Sequence, residues 1–383
     1  TAGLTSAGMN VLLLGPVPTP AVGLLTNSMR ADLGIMISAS HNEHNDNGIK
    51  FFGPDGYKLS DSVEVEIEAL VSKGVDCVAP ENIGRAKRID DGRYRYIERV
   101  KSSFPNQMRL DGLKVVIDCA NGAGYRAAPE VLWELGAEVV PVGVSPDGRN
   151  INLECGSTSP RIAAETVVAH GADVAICLDG DADRVLVIDE QGCPIDGDHF
   201  LGMIGSRWQK EGVLAEKTLV ATVMSNMHLE TFLNREGIKL VRTAVGDRYV
   251  VEQMRLNGFN LGGEKSGHVV MTDYSTTGDG LMAGLQFLAE MVRRGEPASV
   301  VGRPFDLAPQ KTENIIYASE KNPLDNPSVK KMISESEKKI SGLGRLIVRK
   351  SGTERLIRIM VEAEDISMID ATISSIRNAI KEL

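Results

Sequence analysis

The stretch Val115-Val116-Ile117-Asp118, closed by Asn121-Gly122-Ala123-Gly124 and followed by a helical segment over 125–135 and an apolar run over 138–141, decides the fold class. Strand, glycine turn, helix and strand make a βαβ unit, and such units imply parallel strands with helices packed on the sheet. The Gly-x-Gly is by itself a weak phosphate signal, because a tight βα turn needs glycine without any ligand. Outward from this unit the alternation continues. Helix over 157–169 and strand over 174–178 follow, then four more helices interleaved with strands up to residue 293. Upstream, strand 11–14 leads through the stiff loop Gly15-Pro16-Val17-Pro18-Thr19-Pro20 to a helix over 21–29, and an acidic helical pattern covers 58–74. After the proline-rich 304–309 the composition shifts to strand 314–318, a lysine-rich helix over 329–339, two strands and a last helix over 366–383. That is a smaller α+β domain. The expected domains are 1–86, 87–192, 193–306 and 307–383.

The chain has 383 residues, 42% of them hydrophobic and 25% charged, with a net charge of −10. An acidic chain of this kind excludes nucleic acid or an anionic membrane as main partner. Any anionic substrate must be drawn in by a local basic cluster. No apolar run approaches the roughly 18 residues of a spanning helix, so a cytoplasmic protein is expected. The cysteines Cys77, Cys119, Cys155, Cys177 and Cys193 form no C-x-x-C pair and read as reduced thiols.

Four loops carry chemistry. Ile35-Met36-Ile37 reads as a buried strand that breaks into Ser38-Ala39-Ser40-His41-Asn42, and Asp46-Asn47-Gly48 turns into a second apolar run carrying Lys50. Ser40 lies just past a strand end, where an open α/β sheet presents groups to a ligand, with His41 beside it. This is how a nucleophile is displayed, although an Asn/Ser-rich hairpin loop would look similar. Asp179-Gly180-Asp181-Ala182-Asp183-Arg184 spaces three carboxylates at alternate positions with small residues between them. They can converge on one hard cation, Mg2+, and without it they repel; a calcium helix-loop-helix would need glycine where Arg184 stands. Arg184 is left to meet a phosphate oxygen or sugar hydroxyl. In Gly263-Glu264-Lys265-Ser266-Gly267-His268, Glu264 and Ser266 suit recognition of sugar hydroxyls or an amine, or form only a polar turn. Arg349, Lys350, Ser351, Gly352, Thr353, Arg355 and Arg358 place hydroxyls, a glycine turn and cations together, a phosphate cradle in an acidic protein.

With these residues assembled, the chain resembles the α-D-phosphohexomutase superfamily, and most closely its amino-sugar branch. The resemblance spans the whole chain and rests on the four loops just quoted; Leu14-Gly15-Pro16-Val17-Pro18-Thr19-Pro20-Ala21 and Ser275-Thr276-Thr277-Gly278-Asp279-Gly280 suggest the branch. It implies three α/β domains with mixed sheets and a smaller C-terminal α+β domain around a central cleft. It also implies interconversion of glucosamine 6-phosphate and glucosamine 1-phosphate. Ser40 would carry a phosphate, a sugar bisphosphate would prime it, and one Mg2+ held by Asp179, Asp181, Asp183 and the phosphorylated Ser40 would offset its charge. The resemblance makes Lys50 and His268 the candidates for proton transfer. Arg349, Ser351, Gly352, Thr353 and Arg358 would grip the non-reacting phosphate. The partner is a small phosphosugar, and a homodimer is left open.

The chain departs from the family pattern at Glu43, Lys350 and Arg355, where prolines are usual. The resemblance also implies an N-terminal stretch with a Gly-Thr-Asp-Gly segment ahead of Thr1, either absent from the protein or lying outside this sequence. A polypeptide beginning at Thr1 is therefore expected to fold but to be poorly active, with an unpaired sheet edge beside residues 11–14 and 35–38. The competing readings are a phosphomannomutase/phosphoglucomutase and a non-catalytic sugar-phosphate binding protein; the retention of Ser40 with all three aspartates argues against the latter.

Overall fold

The computed structural model describes residues 1–74, 76–317, 322–350 and 355–381. It divides into two compact units, Thr1–Val223 with Val241–Pro304, and Met224–Leu240 with Phe305–Leu383.

The first unit contains a five-stranded sheet in the order Glu138–Val142, Lys114–Asp118, Val174–Leu178, Val185–Asp189, Pro194–Ile195. The first three strands are parallel, as the βαβ pattern implies, and the last two are antiparallel. The switch has a plain cause: the loop 179–184 is too short to hold a crossover, so the chain must fold straight back. Burial of Val116, Ala175, Cys177 and Ile188 against Ala163 and Val167 of the helix Arg161–His170 fixes that helix on the sheet. Gly171, at φ 56°, ends the helix in the left-handed conformation that glycine adopts without strain. Elsewhere in the unit Thr218–Thr222 runs parallel to Leu261–Gly263, which turns back onto Val269–Met271. The helix Gly280–Arg294 is buried along most of its length, from Gly280 to Met291.

Three expectations need correction. The helix read as 21–29 is Thr19–Ser28; proline is tolerated in a first turn, so Pro20 opens the helix and does not extend the loop. The expected division after residue 86 falls inside the strand Ala86–Arg88, paired in parallel with Val11–Leu13. Its sequence, Ala-Lys-Arg, carries no strand signal. The run expected to be a buried strand, Gly34–Ser38, pairs antiparallel with Gly48–Phe52, but Ile37 and Ile49, opposite each other, are 69% and 60% exposed. A two-stranded ribbon covered on one face leaves alternate side chains on the other.

In the second unit, the antiparallel strands Gln310–Ile316, Leu356–Ala363 and Gly344–Lys350 lie with Leu356–Ala363 in the centre. Ile357, Ile359, Val361 and Ala363 alternate onto one face and pack with Val329 and Ile340 of the helix Pro327–Ile340 and with Ile369, Ile373, Ile376 and Ile380 of the helix Ile366–Lys381. On the opposite face, buried Glu362 accepts from the backbone N–H of Met227 (2.7 Å) and from Arg345 (3.1 Å).

Asp279 caps the buried helix by accepting from Met282 N–H (2.9 Å), and Tyr96 donates to both of its oxygens. Burial nevertheless outweighs these donors and pushes the Asp279 pKa up to about 6. Between the unfolded value near 4 and about 6, the folded protein binds the extra proton, so stability falls as pH rises through that window. The loss amounts to about 3 kcal/mol by pH 7. Asp279→Asn keeps both hydrogen bonds to Oδ1 and removes the titration. Thermal melts should therefore show the variant gaining on wild type from pH 4 to pH 7; a pH-independent difference would refute this.

Candidate active site

Ser40 is held at φ 54°, a conformation that costs an L-residue roughly 1–2 kcal/mol and persists only when its surroundings impose it. The imposing contacts all act on the main chain of Ser40. Ser40 N–H donates to Ser38 Oγ (2.9 Å), and the Ser40 carbonyl accepts from Gly180 N–H (3.1 Å) and from Asn152 Nδ2 (2.9 Å). The Ser40 loop and the aspartate loop thus share a hydrogen bond at the serine itself. Gly180 has to be glycine: a Cβ there would lie 2.4 Å from the Ser40 carbonyl oxygen. Ser40 Oγ lies 3.5 Å from His41 Nδ1. Partial burial, reinforced by the nearby Arg184 guanidinium, lowers the His41 pKa.

Asp179, Asp181 and Asp183 are buried, and one oxygen from each lies within 4.8 Å of the others. Their environments differ. Burial and the two neighbouring carboxylates raise the Asp179 pKa well above the usual range; for Asp183, burial acts the same way but is overcome by His268 and Lys50, which hold it well below. Asp179 Oδ2, Asp181 Oδ1 and Asp183 Oδ1 are buried without a hydrogen-bond partner. Three orphaned carboxylate oxygens converging in this way fit a hard divalent cation with oxygen ligands. The remaining oxygens are occupied: Thr19 Oγ1 donates to Asp181 Oδ2 (2.8 Å), and Lys50 Nζ donates to Asp181 Oδ2 (2.5 Å) and Asp183 Oδ2 (3.0 Å). Burial opposes the Lys50 charge, but Asp183 and Asp181 outweigh it and raise its pKa. Arg184 N–H donates to Asp179 Oδ1 (3.1 Å), while its Nε is buried without a partner.

His268 is buried at the end of the third loop. Its Nδ1 is 3.8 Å from Asp183 Oδ1, and its Nε2 accepts from Gly278 N–H (3.2 Å) and lies 3.5 Å from Asp247 Oδ2. Asp247 is paired in turn with Lys58, and burial, which would raise its pKa, loses to His268 and Lys58, leaving it at about 2. Val185 N–H donates to the Gly267 carbonyl (3.0 Å), which ties this loop to the aspartate hairpin. Glu264 already accepts from Gly246 N–H (3.0 Å) through Oε1, and its Oε2 faces Ser266 Oγ at 3.4 Å. The pair expected to contact sugar therefore has one carboxylate oxygen committed to the backbone.

Ser40, His41, Lys50, Asp179, Asp181, Asp183, Arg184, Glu264, Ser266 and His268 all belong to the first unit. Direct contacts join the Ser40, aspartate and His268 loops. In the second unit Arg349 stands directly opposite Arg358 in the antiparallel ladder, and Arg358 Nε donates to Asn314 Oδ1 (2.9 Å). The ladder thus brings these two guanidinium-bearing residues side by side. Ser351, Gly352 and Thr353 lie outside the described residues. Sequence reasoning missed Thr19, Lys58, Asn152 and Asp247. Thr19 had a detectable signal, a hydroxyl residue beside Pro20 at a helix start; the others show none locally.

Four parts of the chain match successive descriptions of one family: phosphoglucomutase/phosphomannomutase alpha/beta/alpha domain I at residues 1–76, domain II at 94–192, domain III at 196–304 and the C-terminal domain at 313–379. Phosphoglucosamine mutases of Ruegeria sp. (strain TM1040) and Roseobacter denitrificans are each 66% identical to it, over 100% of this chain and 85% of the relative. Among solved structures, a phosphoglucomutase/phosphomannomutase family protein from Burkholderia thailandensis superposes with a TM-score of 0.80 at 23% identity, covering 99% of this chain and 84% of the other. An Aspergillus fumigatus N-acetylphosphoglucosamine mutase, solved with GlcNAc-6P and magnesium, gives 0.71 at 18% identity over 99% and 93%. With four consecutive domain matches and relatives at this identity over its whole length, the chain belongs to the phosphoglucomutase/phosphomannomutase family.

Proposed function

We propose that the chain interconverts glucosamine 6-phosphate and glucosamine 1-phosphate, with Ser40 as the residue that carries the phosphoryl group. The observation that supports this most is Ser40 held in a strained conformation by the backbone of the aspartate loop, beside three buried carboxylates with unpartnered oxygens. The amino-sugar assignment rests on the two relatives named as phosphoglucosamine mutases. The proposed domains are 1–86 for the nucleophile, 87–192 for the aspartates, 193–306 for the sugar and 307–383 for phosphate.

Asp179, Asp181 and Asp183, with the phosphorylated Ser40, would hold one Mg2+, which when bound offsets the phosphoserine charge of about −1.5 to −2. In the forward half-reaction a sugar hydroxyl displaces the Ser40 oxygen at phosphorus, giving a sugar bisphosphate; in the return half, Ser40 Oγ takes the other phosphoryl group. The hydroxyl proton leaves in each half and the departing oxygen gains one. Lys50, at the aspartates, and His268, beside Asp183, are the proposed carriers. His41, beside Ser40, and Arg184, whose buried Nε has no partner, would steady the phosphoryl oxygens. Glu264, through the oxygen not bound to Gly246, and Ser266 would contact the sugar. Arg349, Arg358, Ser351, Gly352 and Thr353 would grip the phosphate not being transferred, a role supported by the opposed arginines. Among the described residues no helix is long and apolar enough to cross a membrane. A cytoplasmic location belongs to the proposal, and the five free cysteines support it.

Rates on glucosamine phosphates should exceed those on glucose and mannose phosphates by at least about tenfold, the scale of one net hydrogen bond of about 1–1.5 kcal/mol. Coupled assays on all three sugars decide this. Equal rates would favour a phosphomannomutase/phosphoglucomutase.

A further inference from the structure

Asn152 reaches the nucleophile loop from a segment far away in sequence. Its Nδ2 donates to the Ser40 carbonyl (2.9 Å) and to the Asn42 carbonyl (2.6 Å), spanning the peptide units that flank the His41-Asn42 pair. Asn152 is itself in the left-handed region, at φ 58°, where asparagine is tolerated better than most residues. The support beneath it is rigid. Asn152 N–H donates to the Ala120 carbonyl (2.9 Å), and the buried Asp118 carboxylate accepts from Ala120 N–H (2.9 Å) and Gly156 N–H (2.7 Å), bracketing the segment that presents the side chain.

We propose that Asn152 is a positioning residue for Ser40: its side-chain amide, clamped on the two carbonyls, holds the serine in the left-handed conformation that phosphoryl transfer uses. Gly180 N–H supplies one donor to the Ser40 carbonyl and none to that of Asn42; the other bonds of Asn42, its N–H to the Ala39 carbonyl (2.9 Å) and its Nδ2 to Asp46 Oδ2 (2.7 Å), stay within the loop, so Asn152 is what ties the far side of the loop to the domain beneath it. Loss of the clamp lets the serine relax toward ordinary backbone angles and shifts Oγ. Displacements of this kind cost rate while leaving the sugar-binding groups Glu264 and Ser266 untouched.

The inference rests on the phosphoserine reading above. Its test uses three variants of the full chain: Asn152→Asp and Asn152→Gly, which both tolerate the left-handed backbone but lack the amide donor, and Asn152→Ala, which is also strained. Expected for Asp and Gly is a kcat lowered about 10- to 100-fold, as for misplaced reacting groups. KM for the sugar phosphate should be little changed, melting temperature close to wild type, and the rate of Ser40 phosphorylation by a sugar bisphosphate reduced in parallel with kcat. If Asn152→Asp does not fold, Asn152→Gly, which adds no atoms and no charge, carries the comparison. Activity retained by Asp and Gly but lost by Ala would show that only the backbone conformation at 152 matters, and would overturn the proposal. So would losses that follow melting temperature across the three variants, or a raised KM with unchanged kcat. A wild-type chain that transfers no phosphoryl group would instead defeat the functional reading itself.

Discussion

Ser40→Ala is expected to abolish mutase turnover, by on the order of 10³-fold or more, because it removes the oxygen proposed to carry the phosphoryl group. The fold should survive. Among the described residues the Ser40 side chain makes one hydrogen bond, to His41 Nδ1 at 3.5 Å, and the bonds that fix its backbone run to the carbonyl and N–H, which alanine keeps. The change in stability should therefore stay within about 0.5–1 kcal/mol, the range for substitutions that break no packing. Turnover measured beside a thermal melt separates loss of chemistry from loss of structure. A well-folded Ser40→Ala protein within about tenfold of wild type would show that the nucleophile has been misassigned.

Removing the divalent cation should be nearly as severe. Exhaustive chelation is expected to lower kcat on the order of 10³-fold while weakening sugar-phosphate binding much less, since the charge acts on the transferring group. Readdition of Mg2+ should restore the rate, whereas Zn2+, which prefers nitrogen and sulfur ligands in tetrahedral sites, should inhibit. Asp181→Asn tests the same point from the protein side: the amide oxygen can still accept from Thr19, so the loop keeps its tether while a charged ligand is lost. Undiminished turnover in metal-free enzyme, with the metal content measured, would contradict the assignment of the three aspartates.

The contrast between these residues and the ones missed is physical. Asp179, Asp181 and Asp183, proposed metal ligands, were legible because all three lie within one short loop, and a hairpin brings them together without help from distant chain. The βαβ pattern was legible for a similar reason, since period and turn chemistry are local. Asn152 was not, because its partners, Ser40 and Asn42, lie more than a hundred residues away and nothing near Asn152 announces them. Asp247 and Lys58 are hidden in the same way, each looking like a surface charge until the fold pairs them beside His268. The strand Ala86–Arg88 shows tertiary pairing overriding composition. Ile37 shows the reverse error: an apolar run was equated with burial, and the ribbon exposes one of its faces.

Whether Ser40 carries the phosphoryl group is tested most directly by the mass of the tryptic peptide spanning residues 31–50, cut after Arg30 and Lys50 and containing both Ser38 and Ser40. Active enzyme should show this peptide heavier by one phosphoryl group, with fragmentation placing it on Ser40. Incubation with excess sugar monophosphate should deplete the modified form, and a sugar bisphosphate should restore it together with activity. An enzyme that turns over glucosamine 6-phosphate while this peptide stays unmodified, or carries its phosphate on Ser38, would contradict the account.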